Sequence, residues 1–291
     1  MIIAGMATIP ERAETLNSVI DSIIPQVDKL FIYFNNCHSL KTLHKLSREK
    51  LTFKFGDNLG ANGKFKFLDK PYDYYFSIDD DFIYPKDYVK VMIAKIEKYK
   101  RKAVMCVHGS TFPPHPDWYY ERINSYSSRE GTEKDHLVNL PGTGTVAFHK
   151  DTFRNMTYDR FNGSVKCDLK LAIACHDQGI PIISVMRKKN WLRPITTDGP
   201  DYWSRCLSDD EGRTELAQTK DWSFWPSRFF PEKPDYWAEV SQLHLITRFR
   251  YLSKFFHGGI HDMKYFMKYP LSGLKEIVES LEEKKRQLEN K

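Results

Sequence analysis

The stretch Tyr75-Phe76-Ser77-Ile78-Asp79-Asp80-Asp81-Phe82-Ile83-Tyr84-Pro85 sets an apolar, aromatic run directly against three adjacent carboxylates. The run reads as a buried strand, and three charges crowded at its end do not serve its stability. Strand side chains alternate between faces, so Asp79 and Asp81 are expected on one face, where they can converge on a hard cation. A divalent ion held by few carboxylates keeps positions open for phosphate oxygens, the usual arrangement for grasping a diphosphate. Acidic clusters at strand ends also form solvated turns and helix caps, so the surroundings decide between the two readings.

Those surroundings alternate between strand and helix. Ile2 to Ala7 is a short apolar run broken by Thr8-Ile9-Pro10, and Glu11 to Ile24 carries Leu16, Val19, Ile20 and Ile23 at helical spacing. Lys29 to Phe34 reads as a strand stopped by Asn35-Asn36, a crossover helix follows near Leu40 to Arg48, and Leu51 to Phe55 is the next strand. The loop Gly56 to Lys64 has glycines that permit close backbone approach and a lysine that can meet a phosphate, but neither P-loop nor Rossmann spacing. Asp87 to Tyr99 is an amphipathic helix, and Ala103 to His108 a further strand. Such alternation predicts an α/β fold, a mostly parallel sheet covered on both faces, with ligands beyond the carboxyl ends of its strands. Thr8, Asn36, Asp57 and Asp79 to Asp81 all fall at such ends.

Further along, Thr111 to Asp135 is a polar, aromatic excursion without clear periodicity. Gly142 and Gly144 precede a strand ending at Phe148, as a bulge or turn or as a place where backbone amides approach a sugar. Asp168 opens a helix that Gly179 ends, where its simplest role is N-cap, and Ile182 to Met186 is another strand. Thr196 to Lys220 has the composition of a mobile loop or lid. Val240 to His257 mixes aliphatic, aromatic and basic residues, as a docked helix or an interfacial anchor.

Charge and cysteines narrow the setting. Lysine and arginine outnumber acids by 44 to 38, and the net charge of +6 favours phosphate-bearing ligands or an anionic surface. No arginine-rich arm, zinc-finger spacing or recognition helix accompanies it, so no nucleic-acid partner is expected. Five widely spaced cysteines, no visible secretion signal and no apolar stretch of about eighteen residues point to a cytoplasmic chain whose membrane contact, if any, is peripheral.

Taken in order, the Thr8-Ile9-Pro10-Glu11-Arg12 opening, the Asp57-Asn58-Leu59-Gly60 loop, Ile78-Asp79-Asp80-Asp81 and the Asp168 helix resemble nucleotide-sugar-dependent glycosyltransferases of the GT-A fold, especially inverting family 2. The resemblance covers roughly residues 1–195. It implies a Rossmann-like, mostly parallel sheet with helices on both faces, a nucleotide-sugar half over 1–100 and an acceptor half over 101–195. A loop or lid over 196–239 and a helical C-terminal extension over 240–291 would follow, with 240–268 the candidate for peripheral contact with the inner face of the membrane.

By the same resemblance, Thr8, Arg12 and Asn36 surround the nucleoside, Asp57 accepts from the base of a UDP-sugar, and Lys64 lies near ribose or phosphate. Asp79-Asp80-Asp81 stand in place of the DXD motif: Asp79 touches ribose and the metal site, Asp80 lies on the nucleotide sugar, and Asp81 binds Mn2+ or Mg2+. Asp168 is the candidate general base, with Asp159 and Asp135 as fallbacks. Cys167 departs from the pattern, which often has glutamate there. His244, His257 and His261 are candidate third metal ligands. The acceptor would be a glycan or lipid-linked hydroxyl in surface polysaccharide synthesis. Two other readings are a sugar nucleotidyltransferase, whose glycine-rich basic loop is missing, and a noncatalytic carbohydrate-binding protein of the same fold.

Overall fold

The first strand, β1 (Ile2–Thr8), has Ile3, Ala4 and Met6 fully buried, as expected where both faces of an inner strand are covered. The structure, a computed structural model, describes residues 1–37, 49–163, 167–195 and 212–222. The crossover helix expected near 40–48, the histidines at 244, 257 and 261, and the segment over 240–291 lie outside the described residues.

After β1 come a 3-10 turn (Pro10–Arg12), α1 (Ala13–Ile23), β2 (Lys29–Asn35), β3 (Leu51–Gly56), a second 3-10 turn (Gly60–Phe65) and β4 (Tyr74–Ile78). The short β5 (Phe82–Ile83), α2 (Tyr88–Lys98), β6 (Val104–Cys106), β7 (Gly109–Thr111) and β8 (Asn124–Tyr126) follow. The chain continues with β9 (His136–Val138), β10 (Leu140–Pro141), β11 (Thr145–His149), α3 (Cys167–Gln178), β12 (Ile182–Ser184), β13 (Arg193–Pro194) and α4 (Arg213–Gln218). An eight-stranded sheet has the order β3-β2-β1-β4-β11-β6-β12-β9. The ladders linking β3, β2, β1 and β4 are parallel, whereas β11 runs antiparallel to β4 and β6, and β9 antiparallel to β12. The α/β class and its mostly parallel sheet are those expected.

Two apolar layers sandwich that sheet. On one face, Leu16, Val19, Ile20 and Ile23 of α1 and Val89, Met92 and Ile96 of α2 pack with Ala4, Met6, Ile32, Phe34, Phe76 and Ile78. On the other, Ile3, Tyr33, Tyr75, Val146 and Phe148 meet Phe65 of the second 3-10 turn and Leu171, Ala174 and Cys175 of α3. Ile3 and Ala4 serve opposite layers, as do Tyr75 and Phe76, which is the two-residue period of a strand buried on both sides. Gly5 lets the 3-10 turn lie across β1. A Cβ there would stand 2.2 Å from the Lys64 carbonyl oxygen, which accepts the Tyr75 hydroxyl at 2.6 Å.

The aromatic excursion takes a definite form. β7 pairs with β8 and β10 in a small antiparallel sheet. Phe112 and Tyr119 pack with Leu169 and Ala172 of α3 and with Ala217 and Trp222. The described part of the expected lid, 212–222, therefore carries a short helix with a buried tryptophan that packs on this excursion. Its polar sequence concealed that role.

Asp135 is not a base in waiting. Only 5% exposed, it accepts Lys95 Nζ on both oxygens at 2.7 and 2.9 Å, the Tyr99 hydroxyl at 3.0 Å and the Met186 amide at 2.7 Å. Burial pushes its pKa up, but Lys95, the Met186 amide and Lys98 outweigh that and hold it below the usual carboxylate range. A depressed folded-state pKa stabilises fully above the unfolded value near about 4, and the contribution is lost as pH falls through the folded value. Asp135→Asn should thus cost about 3–5 kcal/mol at pH 7, by urea denaturation. The gap from the wild type should narrow at about pH 3.

Candidate active site

The carboxyl ends of β1, β2, β3 and β4 share one edge of the sheet, and the residues singled out in the sequence cluster there. β4 stops at Ile78, where its ladder to β1 ends at Met6. Asp79, Asp80 and Asp81 therefore occupy the connection to β5 rather than the strand, and strand alternation is not what disposes their side chains. The reason is local. The Asp79 amide donates to the Tyr84 hydroxyl at 2.8 Å, and that hydroxyl donates in turn to the Gly144 carbonyl at 2.7 Å. A side chain replaces the ladder and turns the chain out of the sheet.

Each acid meets a different environment. Asp80 is buried and accepts the Thr8 hydroxyl at 2.6 Å and Arg12 Nη1 at 2.5 Å. Burial raises its pKa against the pull of Arg12 and Thr8. For Arg12, burial works against the charge, yet Asp80, Asp81 and Asp79 prevail and raise its pKa. Asp79, partly exposed, is ion-paired with Lys64, whose side chain is 3% exposed. Burial disfavours the Lys64 ammonium, but Asp79, Cys167 and Asp168 more than compensate and keep it charged. Asp81 is left least balanced. Burial, Asp79 and Asp80 push it up to about 7 despite Arg12 and Lys64. Its Oδ1 is buried with no hydrogen-bond partner.

That orphan oxygen is what a bound cation would satisfy, so Asp81, with Asp79 beside it, suits a divalent ion. Among the described residues no three His, Cys, Asp or Glu side chains are grouped to hold a metal, and the fit rests on these two carboxylates.

The remaining predicted residues divide. Asp57 is exposed just past β3, and its backbone carbonyl accepts the Tyr33 hydroxyl at 3.0 Å. Asn36 is exposed at φ +51°, a left-handed turn position that asparagine tolerates. Its neighbour Asn35, which the sequence reading passed over, is buried. Asn35 donates to the carbonyls of Thr8 at 3.3 Å and Gly60 at 3.2 Å and accepts the Leu59 amide at 2.8 Å, fastening the 57–60 loop to β1.

Asp168, in the first turn of α3, reaches back to the loop before β11. Its Oδ1 accepts both the amide of Thr143, at 3.0 Å, and its hydroxyl. The Thr143 carbonyl accepts Ser77 Oγ of β4 at 2.6 Å, which fixes the loop beside the acids. Gly144 then lies so close that a Cβ would fall 1.9 Å from Asp79 Oδ2. Thr143-Gly144 thus bridges Asp168 and Asp79. Behind Asp168 are groups that sequence reasoning missed: His108, kept toward neutrality by burial against the pull of Asp168, and Arg122, whose pKa burial lowers against Tyr119 and Asp168. Arg122 lies over the rings of Phe112 at 4.3 Å and Tyr119 at 5.0 Å. The fallback Asp159 is exposed on a 3-10 turn (Tyr158–Phe161), with Asn162 Nδ2 3.4 Å from its Oδ1.

A scan against family models and a search of curated proteins found no match. Among solved structures, the chain is similar to Staphylococcus aureus TarS 1–349 in complex with UDP-GlcNAc, at 14% identity and a TM-score of 0.41, over 68% of this chain and 59% of that one. It is likewise similar to TarS 1–349 at 15% identity and a TM-score of 0.41, over 64% of this chain and 58% of that one. The chain thus spans under two thirds of the length of the TarS fragment. Among the described residues no helix is long and apolar enough to cross a membrane.

Gly144→Ala tests the bridge. The added methyl must displace the Asp79 carboxylate, so any affinity of the Asp79 and Asp81 pair for Mn2+, by calorimetry, should fall about tenfold or more while the circular dichroism spectrum stays unchanged.

Proposed function

We propose that the protein is an inverting, metal-dependent glycosyltransferase that moves a sugar from a UDP-sugar to a hydroxyl of a glycan or lipid-linked acceptor, in surface polysaccharide synthesis. The observation that carries this reading is the meeting of Asp79 with Asp168 across the Thr143-Gly144 loop, at the carboxyl edge of the sheet where Asp81 keeps an unpartnered buried oxygen. A pair of acids suited to a cation and a separate acid on another element are the two parts that inverting transfer needs.

In this reading Thr8, Arg12, Asn36, Asp57 and Asp80 line the nucleoside side, and Lys64 stands by the diphosphate. Asp81 and Asp79 would hold Mn2+ or Mg2+, which when bound supplies Lewis-acid stabilisation of the charge on the departing diphosphate. Asp168 takes the acceptor's hydroxyl proton as the new bond to the anomeric carbon forms and the bond to the phosphate oxygen breaks, the electron pair leaving with UDP. Lys64 contributes a buried positive charge next to Asp79, where the field of one ammonium is little screened by water. The Tyr119, Arg122 and His108 side of Asp168 would receive the acceptor.

Thermal-shift screening of UDP-sugars with and without Mn2+, beginning with UDP-GlcNAc, tests donor binding. Asp81→Ala should abolish the Mn2+-dependent part of the UDP shift, and an undiminished shift would remove Asp81 from the metal site. Asp168→Asn should leave the shift in place and lower UDP release by about 10²–10⁴-fold. Full turnover in that variant would exclude Asp168 as the base.

A further inference from the structure

We infer that Thr143 is the positioning residue of the proposed base: it holds Asp168 Oδ1 with two hydrogen bonds, is itself braced by Cys167, and so reserves Oδ2 for the acceptor's proton. The inference rests on the base role of Asp168 and concerns how that role is served.

The hydrogen-bond directions follow from donor counting. An ionised carboxylate only accepts, so the Thr143 hydroxyl proton and the Thr143 amide both point to Oδ1. A hydroxyl has one proton, so in its 3.0 Å contact with Cys167 Sγ the Thr143 oxygen accepts from the thiol, whose longer alternative acceptor is Asp168 Oδ1 itself at 3.9 Å. Cys167, Thr143 and Asp168 therefore form a directed chain. Thr143 is 2% exposed and Cys167 1% exposed, so water does not compete for the contact between them, while Asp168 itself is half-buried. Burial pushes the Cys167 thiol up to about 12, which keeps its proton available to donate.

The frame around Thr143 is equally fixed. Ser77 Oγ holds its carbonyl from β4, and the Gly142 amide donates to the His108 carbonyl at 2.8 Å. A carboxylate on the first turn of α3 would otherwise choose among rotamers. Here one oxygen is committed, and no hydrogen bond engages Oδ2 among the described residues. The chain also gives Cys167 a purpose at the position where the resembling family often has glutamate: a thiol is small enough to pack beneath Thr143 and still donate.

The test uses the full-length protein with Mn2+ and measures UDP release by hydrolysis of UDP-GlcNAc, UDP-glucose and UDP-galactose, water taking the place of the acceptor hydroxyl and giving its proton to Asp168, with Asp168→Asn assayed in parallel. Thr143→Val should lower kcat about 10- to 100-fold with KM for the donor within about twofold, because a misplaced base affects the proton step and not donor binding. Thr143→Ser, which keeps the hydroxyl, should restore kcat to within about threefold of the wild type. Thr143→Ala accompanies it to avoid overpacking, and thermal unfolding confirms that each variant is folded. Unchanged kcat in a folded Thr143→Val or Thr143→Ala, alongside an impaired Asp168→Asn, overturns the positioning role alone. Full turnover in Asp168→Asn overturns the base role and this inference with it.

Discussion

Three carboxylates in succession cannot share one turn without cations built in beside them, and the arrangement of this sheet edge follows from that requirement. Lys64 comes from a 3-10 turn laid across β1, and Arg12 from the turn that opens α1, so the two cations approach from different elements. Between them they engage Asp79 and Asp80 and leave Asp81 with an unpaired buried oxygen. The sequence around the acids answers the same need: Gly5 makes room for the Lys64 backbone, and Thr8 supplies a hydroxyl to Asp80.

The charge balance joins the two sides of the site. Lys64 feels Asp79 first, but Cys167 and Asp168 also act on it, so one buried ammonium is shared between the acids of the β4 end and the acid of α3. A site arranged in this way holds its charges in fixed geometry before a ligand arrives.

Much of the fold was legible because β1 and β2 carry continuous apolar runs, β3 alternates apolar and polar residues, and the helices have a clear 3.6-residue period. β1, β2, β3, α1 and α2 fall within a residue or two of their expected bounds. The Asp79 to Asp81 cluster was legible too, but not its conformation, since a tyrosine hydroxyl six residues from Ile78 ends the ladder and no local pattern announces it. Asn35 and Asn36 are adjacent, and composition cannot tell which one turns inward. Thr143 was hidden for a similar reason: its flanking glycines signalled a turn, while its partners on β4 and α3 are distant in sequence. The aromatic excursion over 111–135 lacked periodicity because it is fastened by ring contacts and by Trp222 rather than by a helix or long strand.

The reversed strand has a further consequence for how the chain can be divided. β11 pairs with β4 from Thr145↔Ile78 to His149↔Tyr74, so the partner of the strand leading into the acids comes from the second hundred residues. A fragment ending near residue 100 would keep the acids but leave the β4 flank bare, presenting open amides and carbonyls to any passing strand. The strands before and after residue 100 are therefore joined at this seam, and excising the first part alone would yield a sticky, self-associating piece.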